Sequence, residues 1–336
     1  MLTYTLRRLA FAVPTLLVIS FIIFAILDLA PSDPTGQLPL TIPPEVREKI
    51  RLSLGLGEPF HIRYFKWCVQ FFVNEPLNLV EQWTGWTLGD PDRPRVLSWQ
   101  TRSPVVDLIA QRMPQTLWVV GMSYVVGIVI AVPIGVLSAY WQYSWFDQFG
   151  TLFSMVGFSI PTFFTGLLFI VIFSVWLGWL PSIYDTTLVV DSWSAFGQQI
   201  KQMIMPTMVL GLFNAAQISR FMRASMLDNL NQDYVRTARA KGMREQAVVL
   251  IHVLRNSMIP VVTVLALGVP QIFGGAIITE QIFRVNGLGQ LLIGAIQGAD
   301  IPTVQTLTFI FAVLIVFFNL IADLLYGILD PRIRYD

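Results

Sequence analysis

Apolar residues along this chain gather in long runs rather than at alternating positions. Crossing about 30 Å of hydrocarbon takes roughly 20 helical residues. Runs of that order fall at six places: Leu9 to Leu29, Thr116 to Tyr140, Phe149 to Leu177, Met205 to Met222, Pro260 to Phe283 and Val304 to Leu329. Hydrocarbon offers no partner to an open backbone group, so each run is predicted to be a helix. The pattern predicts an all-α membrane protein with six transmembrane helices. Arg7 and Arg8 precede the first run as they would in a secretory signal. That run is too long for a signal and lacks a small-x-small site after it, so it reads as an uncleaved first helix.

Two polar regions interrupt the apolar pattern and divide the chain into residues 1–30, 31–112 and 113–336. In the first region, Pro43 and Pro44 pre-set a helix start. Val46, Ile50 and Leu54 then recur every four residues before Gly55. A second helix is expected from Pro59 to Val73, and irregular structure from Thr84 to Pro104, which is rich in Gly, Pro and Trp. This helical insertion reads either as a scaffold cap on the spans or as a landing surface for a soluble partner.

The second region lies within residues 224–259, inside the 113–336 segment. Asp233 stands where a helix N-terminus favours negative charge, and Arg239 and Lys241 where its C-terminus favours positive charge. Gly242 can supply the left-handed residue that ends such a helix. A second helix is predicted from Arg244, with Ala247, Leu250, Ile251, Leu254 and Met258 on its buried face and Pro260 at its close. On charge alone this is an ordinary cytoplasmic basic loop. The small residues Ala238 and Ala240 beside Gly242 instead favour close approach by another protein's backbone, as a docking element requires.

Composition agrees with the membrane reading: 54% of the residues are hydrophobic and 13% charged. A net charge of +1 argues against a nucleic-acid partner. Placement of Lys and Arg is more informative than their total. Arg7 and Arg8, the loop from Arg223 to Arg255, and Arg332 and Arg334 fall on one side of six crossings, so both termini are predicted to be cytoplasmic. The loop from Trp141 to Asp147 is an exception, predicted cytoplasmic yet without Lys or Arg. Cys68 is the sole cysteine, which excludes a disulfide within the chain. His61 and His252 are too far apart in sequence and predicted topology for a joint metal or catalytic site. No phosphate-binding Gly-x-x-x-x-Gly-Lys-Ser/Thr occurs, so the energy for any pumping must come from another polypeptide. An ion-coupled carrier is the rival, because Asp323, with Asn319 one turn earlier, lies in the last span. An interhelical hydrogen bond is the favoured role for that pair. Gly and Pro inside the spans read mostly as packing points, with Gly268 and Pro270 as candidate hinges.

The run Tyr234-Val235-Arg236-Thr237-Ala238-Arg239-Ala240-Lys241-Gly242 resembles the EAA coupling loop of binding-protein-dependent ABC importers, in the form used by the dipeptide/oligopeptide branch. Ser159-Ile160-Pro161-Thr162-Phe163, Leu177-Gly178-Trp179-Leu180-Pro181, Asn286-Gly287-Leu288-Gly289 and Asp330-Pro331-Arg332-Ile333-Arg334 extend the resemblance along the chain. Thr237 replaces the motif's opening Glu, Arg255 stands where a Pro is frequent, and Asn286 departs from an expected Pro. The resemblance implies a type I importer permease with a periplasmic insertion after its first helix, in the bacterial inner membrane. It further implies a second permease as heterodimer partner, two ATP-binding subunits carrying ATP and Mg, and a solute-binding protein. This chain would hold no cofactor, metal or catalytic residue of its own and would form half of a path for di- or oligopeptides, with nickel complexes or oligosaccharides as the alternative. Thr237, Ala238, Ala240, Lys241 and Gly242 would couple it to the ATPase.

Overall fold

The computed structural model of the chain describes residues 2–29, 43–53, 55–86 and 93–329. Leu54, part of the irregular stretch at 87–92, and the Asp330–Arg334 motif lie outside them. The described residues are helical, with no strand beyond an isolated bridge between Leu97 and Pro104. In chain order the helices are α1 (Leu2–Leu29), α2 (Pro44–Ser53), α3 (Phe60–Val69), α4 (Glu75–Thr84) and α5 (Val105–Tyr140). Next come α6 (Trp145–Ser159), α7 (Thr162–Phe169), α8 (Trp193–Leu230), α9 (Asp233–Ala240) and α10 (Glu245–Ala247). The last are α11 (Leu254–Phe283), α12 (Leu288–Gln297) and α13 (Ile301–Leu329). Single π-helical stretches join α3 to α4 at Gln70–Asn74, extend α7 through Ile170–Trp176, and join α10 to α11 at Val248–Val253.

Among the described residues, four stretches are long and apolar enough to cross a bilayer: Thr5–Leu29, Val105–Tyr140, Glu245–Val269 and Ile301–Leu324. A fifth is the pair Trp145–Ser159 and Thr162–Trp176, bent by 104°. The expected third span is therefore broken. Pro161 disfavours helical geometry at the residue before it, and Ile160 sits at φ −83° and ψ 123°, in the extended region. The expected fourth span lies inside α8, a 38-residue helix of lower apolarity. Asn214, Ser219 and Ser225 are buried along it. Small and polar residues of this kind let helices approach and bond to one another where lipid is excluded.

The chain forms two compact units. One comprises Met1–Leu9, Gln115–Gly289 and Leu314–Asp336, the other Ala10–Pro114 and Gln290–Val313. In the first, α6, α7 and α11 pack against α8. Added Cβ atoms at Gly127 and Gly135 of α5 would lie 3.0 Å from Asn214 Cβ and 2.5 Å from Met222 Cβ, so the glycines are close-packing points. Ser154 of α6 meets Ser219 of α8 at 2.9 Å between hydroxyl oxygens. Ser225 and Ser257 exchange bonds between α8 and α11, each hydroxyl donating to the other's carbonyl oxygen at 2.9 and 3.2 Å.

The second unit is organised by aromatic rings. Phe24 meets Tyr64 and Trp67, and Trp67 stacks on Phe71 at 5.3 Å and meets Phe309 edge-on at 5.9 Å. Offset and edge-to-face geometry of this kind adds to the area that the rings bury. The second helix of the insertion runs beyond its expected end at Val73, through the π turn and α4 to Thr84. Gly85 at φ +71° then ends it, its N–H donating to Glu81.

Candidate coupling site

Residues 233–243 form a short helix with a complete C-terminal lock. Asp233 lies in the first turn of α9 and Arg239 in its last, in the order that suits the helix dipole. Gly242 adopts φ +72°, which costs a residue with a Cβ more than it costs Gly. Its N–H donates to the Arg239 carbonyl at 2.9 Å, and the Met243 N–H donates to the Ala238 carbonyl at 3.3 Å. Those two bonds define a Schellman motif. Met243 and Ala238 both belong to the hydrophobic cluster beneath, supplying the apolar contact that accompanies the motif. Across the turn, the Arg239 guanidinium donates two bonds to the Glu245 carboxylate at 2.7 and 3.1 Å, tying α9 to α10.

The five residues singled out in sequence divide into two sets. Thr237, Ala240, Lys241 and Gly242 are exposed, and a Cβ at Gly242 would meet nothing within 4 Å. Ala238 faces inward, 7% exposed, in a cluster with Val235, Met222, Met226 and Val249. Its small size therefore serves packing of α9 onto the unit, while the open surface is made by the other four.

The helix after Gly242 differs from the expected amphipathic face. Val248, Val249 and Val253 are buried, whereas Leu250 and Ile251 are 58% and 57% exposed. The π stretch at Val248–Val253 places one extra residue in the turn and so rotates the side chains relative to a regular α-helix. Pro260 does not close the run, because α11 continues through it to Phe283. The helix that follows the Gly242 turn and the expected fifth span are thus one helical rod, from Glu245 to Phe283. Of the candidate hinges, Gly268 lies within this rod, where an added Cβ would stand 2.6 Å from the Tyr124 hydroxyl oxygen of α5. Tyr124 donates to the Leu265 carbonyl beside it. Pro270 is in the same helix and has no N–H to donate to the carbonyl four residues back.

At the other end of α11 is a site that sequence reasoning missed. Glu280 is fully buried. Its carboxylate accepts from the Thr116 hydroxyl at 2.6 Å and from Gly289 N–H at 2.7 Å, while Thr116 Oγ1 accepts from Leu288 N–H at 2.8 Å. A Cβ on Gly287 would run into the carboxylate, and one on Gly289 into the Ile277 backbone. The glycines of Asn286-Gly287-Leu288-Gly289 thus admit an acidic side chain beneath the turn. The paired glycines were the available signal, and the Glu seven residues upstream of Gly287 was the clue not read.

Two other polar expectations find partners. Asp147, 3% exposed, closes the loop without Lys or Arg. It accepts two bonds from Arg223 of α8 at 2.6 and 2.7 Å, so the missing basic residue arrives from another element. Asp323 pairs with Arg8 at 3.2 Å, linking the first and last helices. Among the described residues, no group of three or more His, Cys, Asp or Glu is placed to hold a metal ion.

This arrangement defines a class before it defines a family: a helical membrane protein that exposes a locked helix-Gly-helix segment at one end of a spanning rod. Residues 131–335 match the family described as binding-protein-dependent transport system inner membrane component, and residues 1–120 match its N-terminal family. The chain belongs to this family: it is an inner membrane permease subunit of a binding-protein-dependent ABC importer, a transport component rather than an enzyme. It is 39% identical to the oligopeptide transport system permease protein AppB of Bacillus subtilis (strain 168), with all of both chains covered. It is 37% identical to the glutathione transport system permease protein GsiC of Escherichia coli (strain K12), again over all of both chains. Among solved structures, the MetNI methionine ABC transporter matches with a TM-score of 0.54 at 19% identity, covering 68% of this chain and 99% of that one. An amino acid ABC transporter matches with a TM-score of 0.50 at 14% identity, covering 66% and 94%. These two likenesses concern the fold.

Proposed function

We propose that this chain forms half of the translocation path for di- or oligopeptides delivered by a solute-binding protein, and that Thr237, Ala240, Lys241 and Gly242 present the surface an ATPase subunit grips. Ala238 holds that surface down. The observation that carries this reading is the exposed, Schellman-locked turn at Gly242, continuous through α10 with the rod that ends at Phe283. A pull on the turn is then a pull on a span, with Gly268 and Pro270 as the positions where the rod would bend.

In this reading the chain crosses the bacterial inner membrane six times, through α1, α5, the bent α6–α7 pair, α8, α11 and α13. Both termini are cytoplasmic, and residues 31–112 form the extracytoplasmic insertion. The length of α8 supports its role as the remaining crossing, at 38 residues and 1.5 Å of rise per residue. A second permease completes the path as a heterodimer, and two ATP-binding subunits carry ATP and Mg. This chain needs no cofactor. The names of the relatives support peptides over nickel complexes or oligosaccharides. Pairing of Asp323 with Arg8 gives that carboxylate a structural role between the first and last helices, which weighs against the ion-coupled rival.

The test is Gly242→Asp in the assembled transporter reconstituted into vesicles. The variant should remain in the membrane and lose ATP-driven uptake, because a charged side chain then projects from an otherwise open surface. Undiminished uptake by that variant would sink the coupling reading.

A further inference from the structure

The second unit contains a cavity of about 780 Å³ that the coupling role does not use. It lies at the end of α1 opposite Arg7 and Arg8, with Phe24, Leu27 and Trp67 in its wall. That volume falls within the few hundred to about 1,000 Å³ of ordinary ligand pockets. Its charges are unevenly matched. Asp28 is paired with Arg63, and Glu58 with Lys66. Arg95 is shared between Glu75 and Asp107 at 2.7 and 2.9 Å. Burial works against the Arg95 charge, but those two carboxylates outweigh it and raise its pKa. The remaining lining cations, Arg51 and Arg102, make no ion pair with a described residue.

The backbone at each of these two cations belongs to a defined element. Arg51 is in the last turn of α2. Arg102, at φ +58°, is in a tight turn in which its N–H donates to the Ser98 carbonyl at 3.0 Å. That turn is anchored by buried Asp300, which accepts from the Trp99 N–H at 2.9 Å. Among the described residues the cavity therefore offers two cations without an ion pair beside an aromatic and aliphatic wall, while its lining carboxylates, Asp28 and Glu58, are both paired. A zwitterionic peptide would find a site for its carboxylate and none for its ammonium. A phosphodiester on an apolar body fits both features.

Depth in the membrane points the same way. The span Thr5–Leu29 has 25 residues, and at 1.5 Å per residue it exceeds the roughly 30 Å of hydrocarbon. Asp28 and the cavity beside it then stand at headgroup level. Within this chain only 11% of that span's apolar window is buried, which leaves its outer face open to lipid or a neighbouring subunit. Exposed Trp83 in the last turn of α4 and Trp86 just beyond its Gly85 cap lie in the same unit, as interfacial tryptophans do.

From these features we infer that the cavity binds the phosphate headgroup of an anionic phospholipid, with Arg51 and Arg102 on the phosphate and the lipid's glycerol and chain ends against Phe24, Leu27 and Trp67. The inference rests on the membrane reading of α1 and is independent of the coupling role of Gly242. To test it, the assembled transporter is titrated with phosphatidylglycerol or phosphatidylcholine, and retained lipid is counted by native mass spectrometry. Phosphatidylglycerol should be retained about tenfold better, because each basic residue near an anionic headgroup contributes a few-fold. The Arg51→Gln, Arg102→Gln double variant should lose that preferential lipid, and the Arg51→Lys, Arg102→Lys pair should keep it. Equal retention of both lipids by the parent protein would overturn the assignment, as would an unchanged count in the Gln pair. Displacement of phosphatidylglycerol by millimolar inorganic phosphate would make the ligand a free anion, and displacement by a tripeptide would make it a substrate; either rejects the lipid site.

Discussion

The rod that runs from Glu245 to Phe283 has a glycine turn at each end, and the two use glycine for opposite reasons. At Gly242 the backbone is left-handed, the surface is exposed and the space beyond it is empty. At Gly287 and Gly289 the missing Cβ atoms make room for a buried carboxylate and a neighbouring backbone. One turn leaves its outer face open, the other is closed on the chain itself. The same residue type can therefore mark an open turn or a welded joint, and only its surroundings distinguish them.

This contrast is most directly broken by adding a methyl group at each turn. Gly289→Ala should have the largest effect on stability, because the new Cβ overlaps the Ile277 backbone, which cannot move aside as a flexible side chain could. Overpacking of this kind costs about 1–3 kcal/mol. Glu280→Ala should match it, since Gly289 N–H and the Thr116 hydroxyl lose a buried acceptor. Each unsatisfied group costs about 1–3 kcal/mol. Thermal unfolding of the purified transporter reads both; melting temperatures equal to the parent's would show that the 286–289 turn is not a joint.

Gly242→Ala should be milder. It meets no atom and costs about 1 kcal/mol for the left-handed conformation. A melting temperature lowered as far as by Gly289→Ala would erase the distinction between the turns. Uptake should fall less than in Gly242→Asp, whose charged side chain projects further into the docking surface. The smallest effect belongs to Arg239→Ala. Arg239 and Glu245 are largely exposed, and such pairs contribute about 0–1 kcal/mol. Added salt should diminish even that difference in melting temperature.

The π stretch at Val248–Val253 shows where pattern reading reached its limit. Ala247, Leu250, Ile251, Leu254 and Met258 share a face only if the helix keeps a period of 3.6 residues. One π turn moves Leu250 and Ile251 outward and brings Val248, Val249 and Val253 in. Ala238 and Ala240 make the same point at smaller scale. Both are small and two residues apart in the docking motif, yet one is buried in the cluster and the other exposed. Choice of which small residue packs and which is presented requires knowing what lies beneath α9.

By itself the sequence determined the helical class, the long apolar runs, the place of the Gly242 turn and the family, because each depends on local period, local charge or an ordered series of motifs. The break at Ile160 was also written locally, in the proline that follows it. Tertiary structure alone decided the partners: Arg223 for Asp147, Arg8 for Asp323, and Thr116 with Gly289 for Glu280. An acidic group taken out of water must find donors wherever the fold supplies them. These three ties span intervals from nine residues to more than three hundred, and no local pattern encodes which are used.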